Sequence, residues 1–261
     1  HTTGAIGAHH THQGPQLKGI GVWFFYRGVR PSPTGPRLAV VMALILVAAG
    51  SGERLGAGIP KALVEVCGDT LIGHSLRVAG GVRQIAQTVV VVPAAEVDRV
   101  RPEVGEAQVV PGGATRDASV RAGLEALDPD VEHVLIHDAA RPFTPTEVYG
   151  RVIDALLAGA DAVIPAVAVA DTIKQVRDGS VVRTVDRADL VAVQTPQGFD
   201  VAALWAAHRS QAGTVTDDAM LMEAAGHEVR VVQGSPDAFK ITTPFDLAVA
   251  RAMKEVPGWD S

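Results

Sequence analysis

The chain is 261 residues long, 47% hydrophobic and 20% charged, enough for one large α/β domain with a substantial core. Aromatic residues make up only 4%, so Val, Ala and Leu must build that core, a balance that suits parallel strands covered by helices on both faces. A formal charge of -6 without a basic stripe argues against a nucleic-acid binder, and a single cysteine, Cys67, excludes both an intrachain disulfide and a cysteine-based zinc site, so a reducing, cytoplasmic setting is the default. With no histidine near it in sequence, Cys67 reads as a small buried filler rather than a nucleophile.

Residues 1–37 read differently from the rest. They hold the cluster His9-His10-Thr11-His12, many glycines and Pro31-Ser32-Pro33, and apart from the patch Val22–Tyr26 they carry no apolar pattern. The expectation is a disordered tag or N-terminal extension ahead of a single domain at 38–256. The apolar segment Leu38–Ala49 is too short to cross a bilayer, which needs about 20 residues, and reads as the first strand of a buried sheet, Val41–Val47. No membrane partner is expected.

The remaining elements alternate. Thr70 caps a helix reaching Val78, and Thr88–Val92 is a buried strand ended by Pro93. Glu96–Val104 is a short helix and Ala107–Val110 a strand, and a second glycine loop, Pro111–Ser119, feeds a helix to Leu127. His133–His137 is a strand, 145–158 a helix and Ala162–Pro165 a strand. This rhythm predicts an α/β fold, a doubly wound, mostly parallel Rossmann-like sheet with right-handed crossovers. It breaks at 168–190, where Thr172–Arg177 and Val181–Val185 flank Asp178-Gly179, a strong signal for a tight β-hairpin. A hairpin with exposed apolar and cationic residues, inserted into an α/β domain, cannot easily bury itself, so it reads as a dimerisation arm that packs on a second copy, or else as an edge hairpin of the monomer. Beyond it come a loop at Gln194–Gly198, a helix at Val201–Ser210, a helix capped by Thr216-Asp217-Asp218, a strand at Glu228–Val232 and a last helix ending near Met253.

Ligands of such sheets gather at the carboxyl ends of the strands, where three loops carry chemistry. The loop Gly50–Lys61 fits neither a Walker A motif nor the dinucleotide fingerprint, but its glycines are joined by two cations, Arg54 and Lys61. Two cations on a nearly side-chain-free loop suit a triphosphate, and solvated charges on a turn are the plain alternative. Asp138, directly after a buried strand, could hold Mg²⁺ with phosphates and water completing the shell, or could simply be a helix N-cap or turn residue. Arg141 could clamp a second phosphate or pair with a surface acid, and His137 is better read as packed than as a base.

Several stretches together carry a resemblance. These are Ala48–Arg54 with Pro60-Lys61, Gly112–Val120, His137–Pro142, Asp171–Lys174, Val185–Arg187, Gln194–Phe199, Thr216–Asp218 and Lys240–Thr242. In this order, from about Ala43 to Met253, the sequence resembles the 2-C-methyl-D-erythritol 4-phosphate cytidylyltransferases, transferases of the non-mevalonate (MEP) route of isoprenoid biosynthesis. One position departs from the pattern, Glu53, where relatives often carry a basic residue. The resemblance implies that Ala48, Ala49, Gly50, Ser51, Gly52, Gly112, Gly113, Ser119 and Ala139 hold CTP and read cytosine. It implies that Arg54 and Lys61 are the catalytic cations and that Asp138 binds Mg²⁺, the cofactor. Arg141, Thr172, Thr195 and Lys240 would line the methylerythritol phosphate pocket, and Arg187 would reach from the arm into the site of the other protomer of a homodimer. The implied reaction is in-line attack of the substrate phosphate on the α-phosphorus of CTP. It gives 4-diphosphocytidyl-2-C-methyl-D-erythritol and pyrophosphate. A cytidylyltransferase acting on another polyol phosphate, such as ribitol 5-phosphate, shares these loops, and a nucleotide-binding module without catalysis is the alternative of another class.

Overall fold

A computed structural model describes residue 1 and residues 40–50, 52, 55, 59–210 and 217–253. The expected extension at 1–37, together with Ser51, Glu53, Arg54 and Thr216, lies outside the described residues, apart from residue 1. The apolar run Met42–Val47 forms β1, and Met42 to Leu46 are at most 1% exposed, so both faces and both edges of this strand have to be covered. In chain order follow β2 (Glu65–Val66), β3 (Asp69–Thr70), α1 (Leu71–Gly80), β4 (Ile85–Val92), α2 (Val97–Val100), β5 (Gln108–Pro111) and α3 (Arg116–Glu125). Then come β6 (His133–Asp138), α4 (Thr146–Leu157), β7 (Ala162–Ala168), β8 (Ile173–Arg177), β9 (Ser180–Val185), β10 (Val191–Val193) and β11 (Gln197–Asp200). The described chain closes with α5 (Val201–Ser210), α6 (Asp218–Ala224), β12 (Val229–Gln233) and α7 (Pro244–Met253).

One eight-stranded sheet organises these elements. β5, β4, β1 and β6 run parallel, which brings the ends of β1, β5 and β6 to one edge. β11 is antiparallel to both β6 and β7, β10 continues its line along β7, and β12 is parallel to β7 on the other side. Side chains alternate across the sheet with period two. Ile45, Val89 and Val91 pack with Val120 and Leu124 of α3, Leu204 of α5 and Leu221 of α6. Met42 and Leu44 pack on the opposite face with Ala79 of α1 and Tyr149, Ile153 and Leu156 of α4.

The doubly wound, mostly parallel sheet agrees with the sequence reading, and α5 spans Val201–Ser210 as expected. Thr70 caps α1, its hydroxyl accepting from the Gly73 amide. Asp178 and Gly179 turn the β8–β9 hairpin with φ of 48° and 76°, the left-handed pair that a two-residue turn requires. Two readings are corrected. The stretch Gln194–Gly198 is not all loop, because Gln197 and Gly198 begin β11, a strand too short and too polar at its start to show as an alternating pattern. Cys67 is a half-buried turn residue with φ of 55°, linking β2 to β3 ahead of Gly68, rather than a buried filler.

Candidate active site

The loops leaving β1, β5 and β6 enclose a cavity of about 360 Å³. Its wall is poor in side chains, with Ala48, Ala49 and Gly50 after β1, Gly113, Ala114 and Thr115 after β5, and Ala139 and Ala140 after β6. The charged groups on it are Lys61, Arg116, Asp138 and Lys240. The backbone ties these loops to the sheet, since the Ala48 amide donates to the Val91 carbonyl (2.8 Å), Gly112 to Val92 (2.7 Å) and Ala139 to Val47 (3.1 Å). Ser119, 1% exposed on α3, accepts from the Gly113 amide through its hydroxyl oxygen (3.2 Å) and donates to the Thr115 carbonyl (2.9 Å), so one side chain sets the curve of the second glycine loop. Gly52 packs so closely on Lys61 that a Cβ there would lie 2.6 Å from the lysine Cβ, bringing the two ends of the first loop together.

Asp138 is the electrostatic centre. Lys240 Nζ donates to its Oδ2 at 2.7 Å, and Arg116 Nε lies 3.7 Å from its Oδ1. Burial alone would push this carboxyl up, but the charges of Lys240 and then Arg116 override it and hold the group well below the usual carboxylate range. The residue is therefore ionised throughout the range in which nucleotides are. Its backbone is fixed from below. The Asp138 amide donates to Thr195 Oγ1 (3.0 Å), which leaves the threonine hydroxyl proton for His137 Nδ1 (2.9 Å) and the His137 Nε2 proton for the Arg141 carbonyl (3.2 Å). His137 is fully buried against Tyr149, and burial pulls its pKa down to about 4 despite the neighbouring Asp138. It is a neutral, packed histidine, as the sequence suggested.

The other sequence-derived candidates fall into two groups. Arg141 is half-buried beside the cavity, its guanidinium donating to the carbonyls of Ala238 (2.6 Å) and Val193 (3.2 Å), and Thr195 is buried beneath the Asp138 loop rather than on the cavity wall. Thr172 and Arg187 are exposed at the base of the β8–β9 hairpin, where the Arg187 guanidinium donates to the Ala170 carbonyl. The hairpin itself exposes Val176, Val181 and Val182. Ser51 and Arg54 lie outside the described residues. One charged residue of the cavity was not singled out from sequence, Arg116, although it stands inside the quoted stretch Gly112–Val120. Its one sequence signal is a cation three positions after the Gly112-Gly113 pair.

Among the described residues no group of three or more His, Cys, Asp or Glu side chains converges to hold a metal ion, and no helix is long and apolar enough to cross a membrane. Any divalent ion in this cavity would take one protein carboxylate, Asp138, and its other oxygens from a ligand and water. That donor set fits an ion delivered with a nucleotide, such as Mg²⁺.

A family model described as IspD, 2-C-methyl-D-erythritol 4-phosphate cytidylyltransferase, matches residues 42–255. The chain belongs to this family. The match takes in every loop of the cavity. A bifunctional IspD/IspF enzyme of Clavibacter michiganensis is 51% identical over 228 residues, 84% of this chain, and the chain spans 55% of that protein's length. A 2-C-methyl-D-erythritol 4-phosphate cytidylyltransferase of Streptomyces avermitilis is 45% identical over 239 residues, covering 86% of this chain and 94% of the relative. Among solved structures, the 4-diphosphocytidyl-2C-methyl-D-erythritol synthase of Anaerococcus prevotii matches with a TM-score of 0.73 at 33% identity, over 83% of this chain and 99% of the other. The family enzyme of Thermus thermophilus matches with a TM-score of 0.69 at 36% identity, over 81% of this chain and 98% of the other.

Proposed function

We propose that the chain transfers CMP from CTP to 2-C-methyl-D-erythritol 4-phosphate, forming 4-diphosphocytidyl-2-C-methyl-D-erythritol and pyrophosphate. The observation that carries the reading is the cavity itself, in which cations surround one ionised carboxylate under a wall of small residues. Backbone and small groups at Ala48, Ala49, Gly50, Ser51, Gly52, Gly112, Gly113, Ser119 and Ala139 hold CTP, a tight wall favouring a pyrimidine over a larger base. Lys61 and Arg54 are the cations that would offset the charge of the triphosphate. An oxygen of the substrate phosphate attacks the α-phosphorus in line, the new P–O bond forms as the bond to the bridging oxygen of the β-phosphate breaks, and pyrophosphate leaves with the electron pair. The attacking phosphate is already anionic, so the residues need not remove a proton. Their task is to offset the approach of one anion to another and the charge that builds on the leaving group.

Asp138 holds Mg²⁺ in this reading, and the ion, once bound, supplies charge neutralisation and alignment of the triphosphate. Lys240, with its side chain 42% exposed at the cavity, serves the substrate phosphate. Arg141 and Thr195 support that side of the site through the Ala238 carbonyl and the Asp138 amide respectively. Thr172 and Arg187 belong to the arm, whose exposed valines suit contact with a second copy, so that Arg187 completes the site of the other protomer in a homodimer. A cytoplasmic setting suits an enzyme that draws on CTP.

The test is pyrophosphate release with Mg²⁺, CTP and methylerythritol phosphate, set against ribitol 5-phosphate as acceptor and against ATP, GTP and UTP as donors. Turnover confined to CTP and methylerythritol phosphate supports the reading. Preference for ribitol 5-phosphate would assign another polyol, and nucleotide binding without pyrophosphate would leave a binding module.

A further inference from the structure

Arg116 opens α3 and projects into the floor of the cavity, where its surroundings differ from those of the other cations. Its Nη1 donates to Asp218 Oδ2 at 2.6 Å, and Asp218 is only 1% exposed. Its Nε lies 3.7 Å from Asp138 Oδ1, on the side of that carboxylate away from Lys240. Asp218 is fixed in turn. It stands at the start of α6 directly after Asp217, which caps the helix by accepting from the Met220 amide. Its other oxygen, Oδ1, is 3.7 Å from His208 Nε2, and His208 Nδ1 is 3.0 Å from Asp117 Oδ1. One guanidinium thus stands between two carboxylates from distant elements, hydrogen-bonded to Asp218 and within ion-pair range of Asp138, and its rigid planar fork faces both in a fixed geometry that a flexible ammonium does not impose. Lys240 is held differently, by a single contact on a side chain that is 42% exposed, against 29% for Arg116. An arriving phosphate can draw Lys240 away from Asp138. Arg116 is tethered to a buried carboxylate whose lone charge would be costly to leave behind, and it stays.

We infer that Arg116, anchored by Asp218, is a positioning residue that fixes the Asp138 carboxylate in its working orientation while Lys240 exchanges between Asp138 and the substrate. The inference deepens the proposed function and rests on it. Arg116 acts through Asp138 rather than by gripping the triphosphate, its Nη1 engaged by the buried Asp218 and its Nε set against Asp138. It also gives the Asp217-Asp218 pair of the sequence a purpose beyond capping α6, namely to join the α6 end of the molecule to the reaction centre.

The experiment measures kcat, KM for CTP, CTP affinity by calorimetry without acceptor, and Tm, for wild type, Asp138→Asn, Arg116→Lys, Arg116→Gln and the double variant Arg116→Gln/Asp218→Asn. Arg116→Lys keeps a cation for Asp218 and is expected to fold normally, lose about 10- to 100-fold in kcat and change CTP affinity by less than about threefold. Arg116→Gln leaves Asp218 unpaired, so its Tm falls. The double variant replaces the buried charge with an amide, and it is expected to recover Tm but not kcat. Recovery of kcat together with Tm in the double variant, or wild-type kcat in Arg116→Lys, would make Arg116 a structural ion-pair partner and overturn the inference. A tenfold weaker CTP affinity at unchanged kcat would overturn it too, making Arg116 a direct phosphate contact. Asp138→Asn separates the two levels. Wild-type turnover in Asp138→Asn would sink the reading of the cavity and the inference with it, whereas an inactive Asp138→Asn beside fully active Arg116 variants sinks the inference alone.

Discussion

Gly112→Ala tests whether the cavity wall depends on close approach between its loops. A Cβ at position 112 would lie 2.7 Å from Ala49 Cβ, 2.9 Å from Ser119 Oγ and 3.2 Å from Val91 Cγ1. Ordinary carbon contacts are about 3.5–4.0 Å, so the methyl intrudes by close to 1 Å toward Ala49 and by a little less toward Ser119. Neither neighbour is the far end of a flexible side chain, so the glycine loop has to shift away from the loop after β1. Overpacking of this kind costs about 1–3 kcal/mol, and at about 2–4 °C per kcal/mol in a chain of this size Tm should fall by roughly 2–12 °C. The shift also strains the hydrogen bond from the Gly113 amide to Ser119 and moves the wall on which the nucleotide would lie. Loss of one such contact is worth about 1 kcal/mol or more, so KM for CTP should rise by about fivefold to tenfold. Scanning calorimetry and initial rates measure the two effects, with Gly80→Ala as control, since a Cβ there meets nothing within 4 Å and sits on exposed helix. Wild-type Tm and wild-type KM in Gly112→Ala would refute the argument from loop contact.

Lys61→Ala should lower kcat by about 10²–10³ while changing CTP affinity far less, as single-turnover rates and calorimetry would show, and near-normal kcat would remove Lys61 from the catalytic set. Thr195→Val is isosteric but strands the Asp138 amide and His137 Nδ1, so urea unfolding should show a loss of about 1–3 kcal/mol, and a stability equal to wild type would mean that the network is not maintained in solution. His137 has a pKa depressed from the ordinary 6.5 to about 4, so the unfolded chain binds the extra proton first and stability is lost as pH falls through that window. Between pH 7 and 4.5 the loss should be about 2–3 kcal/mol, and an equal loss in His137→Gln would assign it to other groups. Val176 and Val181 face each other in the arm, so placing aspartates at both should turn the proposed dimer into a monomer by light scattering, whereas an unaltered mass would detach the arm from assembly.

The parts of this molecule that are local in sequence were legible in it. The β1 run, the cap at Thr70 and the Asp178-Gly179 turn each follow from backbone chemistry over a few residues, and the parallel order follows from their alternation. The three loops were legible as neighbours because parallel strands must end on the same edge. What could not be read is what the chain brings together over long separations. Lys240 and Asp138 are 102 positions apart, as are Arg116 and Asp218, and nothing in the spacing of either pair announces an ion pair. The engagement of Arg141 with two carbonyls and of Thr195 beneath Asp138 also stayed hidden, because residues that support a site and residues that touch its ligand leave the same mark in a motif. β10 and β11 escaped notice because three- and four-residue strands show too little alternation to stand out.

In the proposed reaction this cavity joins CMP to the phosphate of methylerythritol phosphate. Phosphorus NMR of one sample holding protein, Mg²⁺, CTP and methylerythritol phosphate tests it directly. The expected result is loss of the CTP and monophosphate signals with equal gain of a diphosphodiester and pyrophosphate, and no conversion with Asp138→Asn. Formation of CMP without a diphosphodiester, or an unchanged spectrum with the intact protein, would contradict the account.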